Sequence, residues 1–177
     1  MANMNNLSPG KFTAEIARNL KFDGFNVYYD HDVASENVGK IVSAISETFG
    51  RDDELSQLDI AIVDKESKNA IVLVEVEETN DRPKNFLGDI FCVLLGKHVS
   101  FKGNKLNVGR FTTLILAGVT KVDHDKRNEY IQEKVNNIAI STPNGEIGNI
   151  LIKTYKDDHD LLERLPPLLE KIVRGKL

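Results

Sequence analysis

Two apolar runs, QLDIAIVD from Gln57 and AIVLVEVEE from Ala70, are separated only by the polar residues Lys65-Glu66-Ser67-Lys68-Asn69. The first alternates and the second is rich in β-branched residues, so both read as strands. A connection this short returns the chain antiparallel, because a parallel neighbour needs a crossover of a dozen or more residues. An antiparallel hairpin is therefore expected at the centre of the chain. If Asp64 faces Ala70 across the turn, Asp59 faces Glu75, with Cβ atoms roughly 5 Å apart on one face. Glu77 points to that same face, two residues along the strand. A register slip by two keeps the three carboxylates together, and a slip by one separates them.

The flanking segments alternate between helical and extended patterns. Phe12, Ile16 and Leu20 recur at helical spacing after Ser8-Pro9, which predicts a first helix that has ended by Gly24. Gly24 to Tyr29 reads as a strand, and Val38, Ile41, Val42, Ile45 and Phe49 predict an amphipathic helix stopped by Gly50. After the hairpin, Pro83 opens a helix whose wide apolar stripe is Phe86, Leu87, Ile90, Phe91, Leu94 and Leu95. SFKGNKLNVG reads as a loop with room for a short extra strand. A strand from Phe111 to Thr120, a helix in KRNEYIQEKVNNI and a strand in NILIKTY follow, and the last helix, DLLERLPPLLEKIV, is expected to break or kink at Pro166-Pro167. This order predicts an α/β fold: a mixed β-sheet with a central antiparallel hairpin, flanked by helices.

At 177 residues with 41% hydrophobic and 28% charged side chains, the chain is long enough for one packed domain and short for two. A single cysteine, Cys92, forms no internal disulfide and, on an apolar helix, is expected in the core. The N-terminal MANMNNLSPG lacks the apolar stretch of a signal peptide, and the longest apolar run, Ile90 to Leu95, falls far short of the roughly 20 residues that span a bilayer. A soluble, cytoplasmic protein without membrane contact is expected. The net charge of −4 conceals a segregation: Ile90 to Val122 contains no acid but carries Lys97, Lys102, Lys105, Arg110 and Lys121. No phosphate-cradling GxxxxGK(S/T), HExxH, paired CxxC or GxSxG pattern is present.

Asp59, Glu75 and Glu77 carry the most informative chemistry. Like charges opposed on a sheet repel, and a divalent cation with oxygen ligands offsets that repulsion. Such a cation polarises a phosphoryl oxygen and acidifies bound water, which is the chemistry of phosphodiester hydrolysis. Glu75 and Glu77 are expected to share their face with Ile71 and Leu73, extending an apolar surface. The rival interpretation is a solvated strand end.

The stretch LDIAIVDKESKNAIVLVEVE, an aspartate at a strand start followed across a short hairpin by Glu-x-Glu, resembles the PD-(D/E)xK nuclease superfamily. The resemblance implies a restriction-endonuclease-like fold, with a core over about residues 11–122 and a C-terminal α/β extension over 123–177. It implies Mg²⁺, replaceable by Mn²⁺, held by Asp59 and Glu75, and hydrolysis of phosphodiester bonds, most readily in DNA. Two positions depart from the motif: Glu77 stands where lysine is usual, and Leu58 replaces the proline before Asp59. Glu77 is then expected as a third ligand or the group that orients the attacking water, so the catalytic and metal set is Asp59, Glu75 and Glu77.

Glu15 on the first helix is an additional acidic candidate, and Lys84 could supply the missing lysine. Phosphate contacts fall to Lys97, Lys102, Lys105 and Arg110, beside His98. Asp89, His31 and His124 read as surface residues. The superfamily's habit of cutting both strands as a dimer implies a homodimer, for which the Leu161 to Val173 helix offers a contact. The missing lysine equally fits an inactive nuclease-fold module that binds DNA or a protein partner, and a hydrolase of small phosphorylated substrates is a third option.

Overall fold

The computed structural model describes residues 9–33, 35–77, 83–120, 125–141 and 147–175. At its centre β4 (Ile60–Asp64) pairs antiparallel with β5 (Ala70–Glu77). The turn between them is built by Asp64, whose Oδ1 accepts from the Glu66 and Ser67 amides and the Ser67 hydroxyl. Val63, not Asp64, faces Ala70, and an irregularity between Ile62 and Val63 then sets Ile60 opposite Val74. The extra residue cancels the error in the assumed turn pairing, so the ladder beyond it runs in the expected register. It also takes Ile71 out of alternation: Ile71 packs with the cluster around Val72 and Val74, whereas Leu73 alone joins the cluster on the other face.

Strand β1 (Phe25–Tyr29) adds antiparallel to β4, while β8 (Thr113–Val119) and β9 (Asn149–Tyr155) continue the sheet parallel to β5, in the order β1-β4-β5-β8-β9. The two parallel steps are made possible by crossover helices, α2 (Pro83–Leu95) and α3 (Asp125–Ser141). Residues 60–63 of β4 are all buried, as expected of a strand covered on both faces. One face carries α1 (Pro9–Asn19) and α4 (Asp158–Val173) over Ile62, Val72, Val74 and Ile115. The other carries α2, α3 and a second, four-stranded antiparallel sheet over Leu73, Leu114 and Leu116. That second sheet has the order β3-β2-β6-β7, from β2 (Ile41–Ala44), β3 (Glu54–Leu58), β6 (His98–Phe101) and β7 (Asn104–Leu106).

The helix expected over Val38 to Phe49 is strand β2 instead. All four of its residues are buried, paired with β3 on one side and β6 on the other. The helical spacing was coincidental: Val38 bridges Tyr29, Ile45 is exposed, and Phe49 has φ +48°, outside any helix. β-branched side chains in a short apolar run favour the strand once neighbours are present on both edges. The strand read from Gln57 is likewise divided, because the chain leaves the second sheet at Leu58 and enters the first at Ile60. SFKGNKLNVG contributes more than a loop: it completes β6 and forms β7, with Lys102 and Gly103 turning at φ +50° and +76°.

α4 runs unbroken through Pro166 and Pro167, against the expected break. Asp157 caps it by accepting from the Asp160 amide, and the Asp160 carboxylate accepts from the Lys156 amide in return. Leu161, Leu165, Leu169 and Ile172 are buried against the chain's own sheet. Cys92 is half-buried on α2 rather than enclosed in the core. Among the described residues no helix is long and apolar enough to cross a membrane.

Candidate functional site

Asp59 is the residue at which the chain changes sheets. Its amide donates to the Val74 carbonyl at 3.0 Å and its carbonyl accepts from the Asp30 amide at 3.1 Å, which ties it to both β5 and the end of β1. The backbone beyond it diverges toward β3, and the Val76 amide donates to Asp59 Oδ2 at 2.8 Å. Glu75 follows Val74 on the face that holds Leu73 and α2. Its Oε2 is buried and makes no hydrogen bond. Asp89, on α2, brings a second buried oxygen without a partner, Oδ2.

These groups act on one another. Burial pushes the Glu75 carboxyl up to about 9, helped by the negative charges of Asp59, Asp89 and Glu77. Burial also raises Asp59 to about 6; the Val76 amide and His31 oppose the shift, and Asp30 and Glu77 add to it. Asp89 rises to about 6 through burial and the charges of Glu77 and Asp59. Asp59, Glu75, Glu77 and Asp89 are therefore one electrostatic unit at the C-terminal end of β5. The sequence placed the first three together and set Asp89 on the surface, which the structure corrects. A signal for Asp89 was present: it lies four residues before the buried Val93, hence on the inner side of α2.

Lys84 stands exposed in the first turn of α2 and is not among the charges acting on these carboxylates. Glu15 lines a cleft of about 440 Å³ with Arg18, Asp30, His31 and Asp32. Asp30 and His31 connect that cleft to Asp59, whereas Glu15 itself does not act on the Asp59 carboxyl. His31 is exposed in a loop, as expected, at φ +67°. His124 lies outside the described residues.

The basic candidates divide. Lys97 and Lys105 line a cleft with His98 beside the C-terminal end of α2. Lys102 instead donates to the Ser35 and Glu36 carbonyls at 2.7 and 3.2 Å, and Arg110 is exposed before β8.

Among the described residues, no three His, Cys, Asp or Glu side chains already surround one point as metal ligands. The donor set nevertheless suits a hard cation: carboxylate oxygens alone, two of them buried without partners, raised by burial and by a mutual repulsion that a positive charge would relieve. No family model matches the sequence, and neither a curated protein nor a solved structure matches the chain.

Proposed function

We propose that the chain is a Mg²⁺-dependent nuclease of restriction-endonuclease-like fold, acting on phosphodiester bonds and most readily on DNA. The observation that carries this reading is the electrostatic coupling of Asp59, Glu75, Glu77 and Asp89, two of which bury a carboxylate oxygen without a partner. The topology is compatible with it: a helix, an antiparallel hairpin, a crossover helix and a parallel strand occur in that order, with the strands of the second sheet interleaved and the acids at the hairpin's open end.

Asp59 and Glu75 would hold the cation, and Glu77 and Asp89 complete its surroundings. When bound, Mg²⁺ supplies charge neutralisation at the phosphoryl oxygens and acidifies water. Asp59 enters with Oδ2 fixed by the Val76 amide, which holds its carboxylate in one orientation. Glu75 holds its proton at neutral pH and has to release it for the carboxylate to bind, so affinity rises with pH toward about 9. Glu77, half-buried at the end of β5, would be the group that orients water at the site.

The test is cleavage of a panel of linear, nicked, branched and single-stranded DNA and RNA with Mg²⁺ or Mn²⁺, comparing wild type with Glu75→Gln. Cleavage by wild type alone supports the reading and its site. If neither protein cuts and both bind nucleic acid equally, the chain is a binding module. If cleavage of small phosphate esters survives high salt, the substrate is small, because polyanion binding weakens steeply with ionic strength.

A further inference from the structure

We propose that the cleft at the C-terminal end of α2 is a second ligand site, which takes a phosphate group borne on an apolar body. The cleft has a volume of about 440 Å³, within the range of small-molecule sites. Val93, Leu106 and Ile147 give it an apolar wall that continues into the core, and Lys97, His98, Lys105 and Asn107 give it a polar one. The polar groups come from different elements, Lys97 from the α2–β6 link, His98 from β6 and Lys105 from β7, rather than from a single solvated run.

One anion already sits among them. Glu47, in the connection between β2 and β3, accepts from Lys105 Nζ at 2.5 Å and lies 3.7 Å from His98 Nδ1, itself a buried atom without a hydrogen-bond partner. The Glu47 side chain is 64% exposed, so it can swing away when a stronger anion enters. No acid lies on the elements that supply the cations, from Ile90 to Val122. The end of α2 turns its partial negative charge toward this rim, equivalent to roughly half an elementary charge against two full lysine charges. Two lysines with a histidine donor favour a phosphate dianion over a singly charged carboxylate.

The polar rim of this site is separate from Glu75, while Asp89, one turn before Val93 on α2, is the acid of the carboxylate cluster nearest to it in sequence. Asn107 accepts from the Ala70 amide at the turn end of β5, and Glu75 lies five residues further along that strand, roughly 17 Å away at the rise of an extended chain.

The experiment is a titration of the full chain with phenyl phosphate, inorganic phosphate and phenol, followed by the NMR signals of the His98 ring and the Lys105 and Asn107 amides. Phenyl phosphate is expected to saturate these signals and bind about tenfold more tightly than either fragment. Lys105→Ala and Lys97→Ala weaken it, Glu47→Gln tightens it, and Glu75→Gln leaves it unchanged. The proposal is overturned if no signal saturates, if inorganic phosphate or phenol binds as well as phenyl phosphate, or if the lysine variants bind like wild type. Because Glu75→Gln addresses only the other site, failure here and failure of the nuclease reading are distinguishable.

Discussion

The Val76 amide donates to Asp59 Oδ2 at 2.8 Å, at the point where the backbone of Asp59 leaves the β4–β5 ladder for the second sheet. A side-chain oxygen thus takes over from the strand carbonyl that the sheet change removes, and the same bond orients the carboxylate. Asp59→Asn keeps an acceptor there, whereas Asp59→Ala leaves the amide unpaired, at a cost of about 1–3 kcal/mol. In urea unfolding at neutral pH without divalent cations, the alanine variant is expected to be the less stable of the two by that amount. Equal midpoints would show that the bond contributes nothing to the fold.

The carboxylate cluster should give the protein an unusual pH profile. Glu75 titrates near 9 in the folded chain against an ordinary 4.5, so between these values the folded state holds a proton that the unfolded state has released. Stability therefore falls as pH rises through this window, more steeply below about 6, where Asp59 and Asp89 also hold protons that the unfolded chain has released, and through Glu75 alone above it. Calorimetry at pH 5, 7 and 9 without divalent cations is expected to show the decline in wild type and a flatter profile in Glu75→Gln. Mg²⁺ or Mn²⁺ at 100 times its dissociation constant would restore about 2.7 kcal/mol, a rise of roughly 5–10 °C in thermal midpoint, in wild type alone. Identical slopes for the two proteins would remove the electrostatic argument for the site.

The hairpin was legible because its apolar alternation and short polar connection admit one topology, and the three acids on its face followed from strand geometry. The bulge was not legible, yet it cancelled the wrong turn pairing and kept Asp59 in register with Glu75. Strand β2 was misread since Ile41 and Val42 satisfy helical and extended spacing alike. What decides between them is pairing with β3, across an intervening loop, and with β6, which lies far away in sequence. Asp89 was missed for a related reason: its burial depends on where α2 docks over β5, a tertiary fact that its own flank of the helix only suggests.

Edge protection is one such long-range device. β9 ends the first sheet, and α3 supplies what a sixth strand would have: Asn136 accepts from the Ile150 amide at 2.8 Å and donates to its carbonyl at 3.0 Å, while Gln132 accepts from the Ile152 amide at 2.8 Å. Asn136→Ala is expected to lower stability by about 1–3 kcal/mol, since both Ile150 groups lose their partner. Light scattering should show faster aggregation of the variant, through the freed edge. A variant as stable and as soluble as wild type would mean that water replaces the amide without cost.

The prolines of α4 offer a test with the opposite sign. Leu161, Leu165, Leu169 and Ile172 keep one buried face on both sides of Pro166-Pro167, and this packing holds the helix together across them. The amide missing at Pro167 would have bonded the Glu163 carbonyl, one turn back on the exposed side, where water reaches it. Pro167 is itself exposed, so Pro167→Ala removes little contact and restores a backbone bond. The substitution is expected to stabilise the chain by about 1–3 kcal/mol, read as a higher urea midpoint with an unchanged slope. A lower midpoint would show instead that the fixed φ of the proline, by limiting the unfolded chain, contributes more than the missing bond costs.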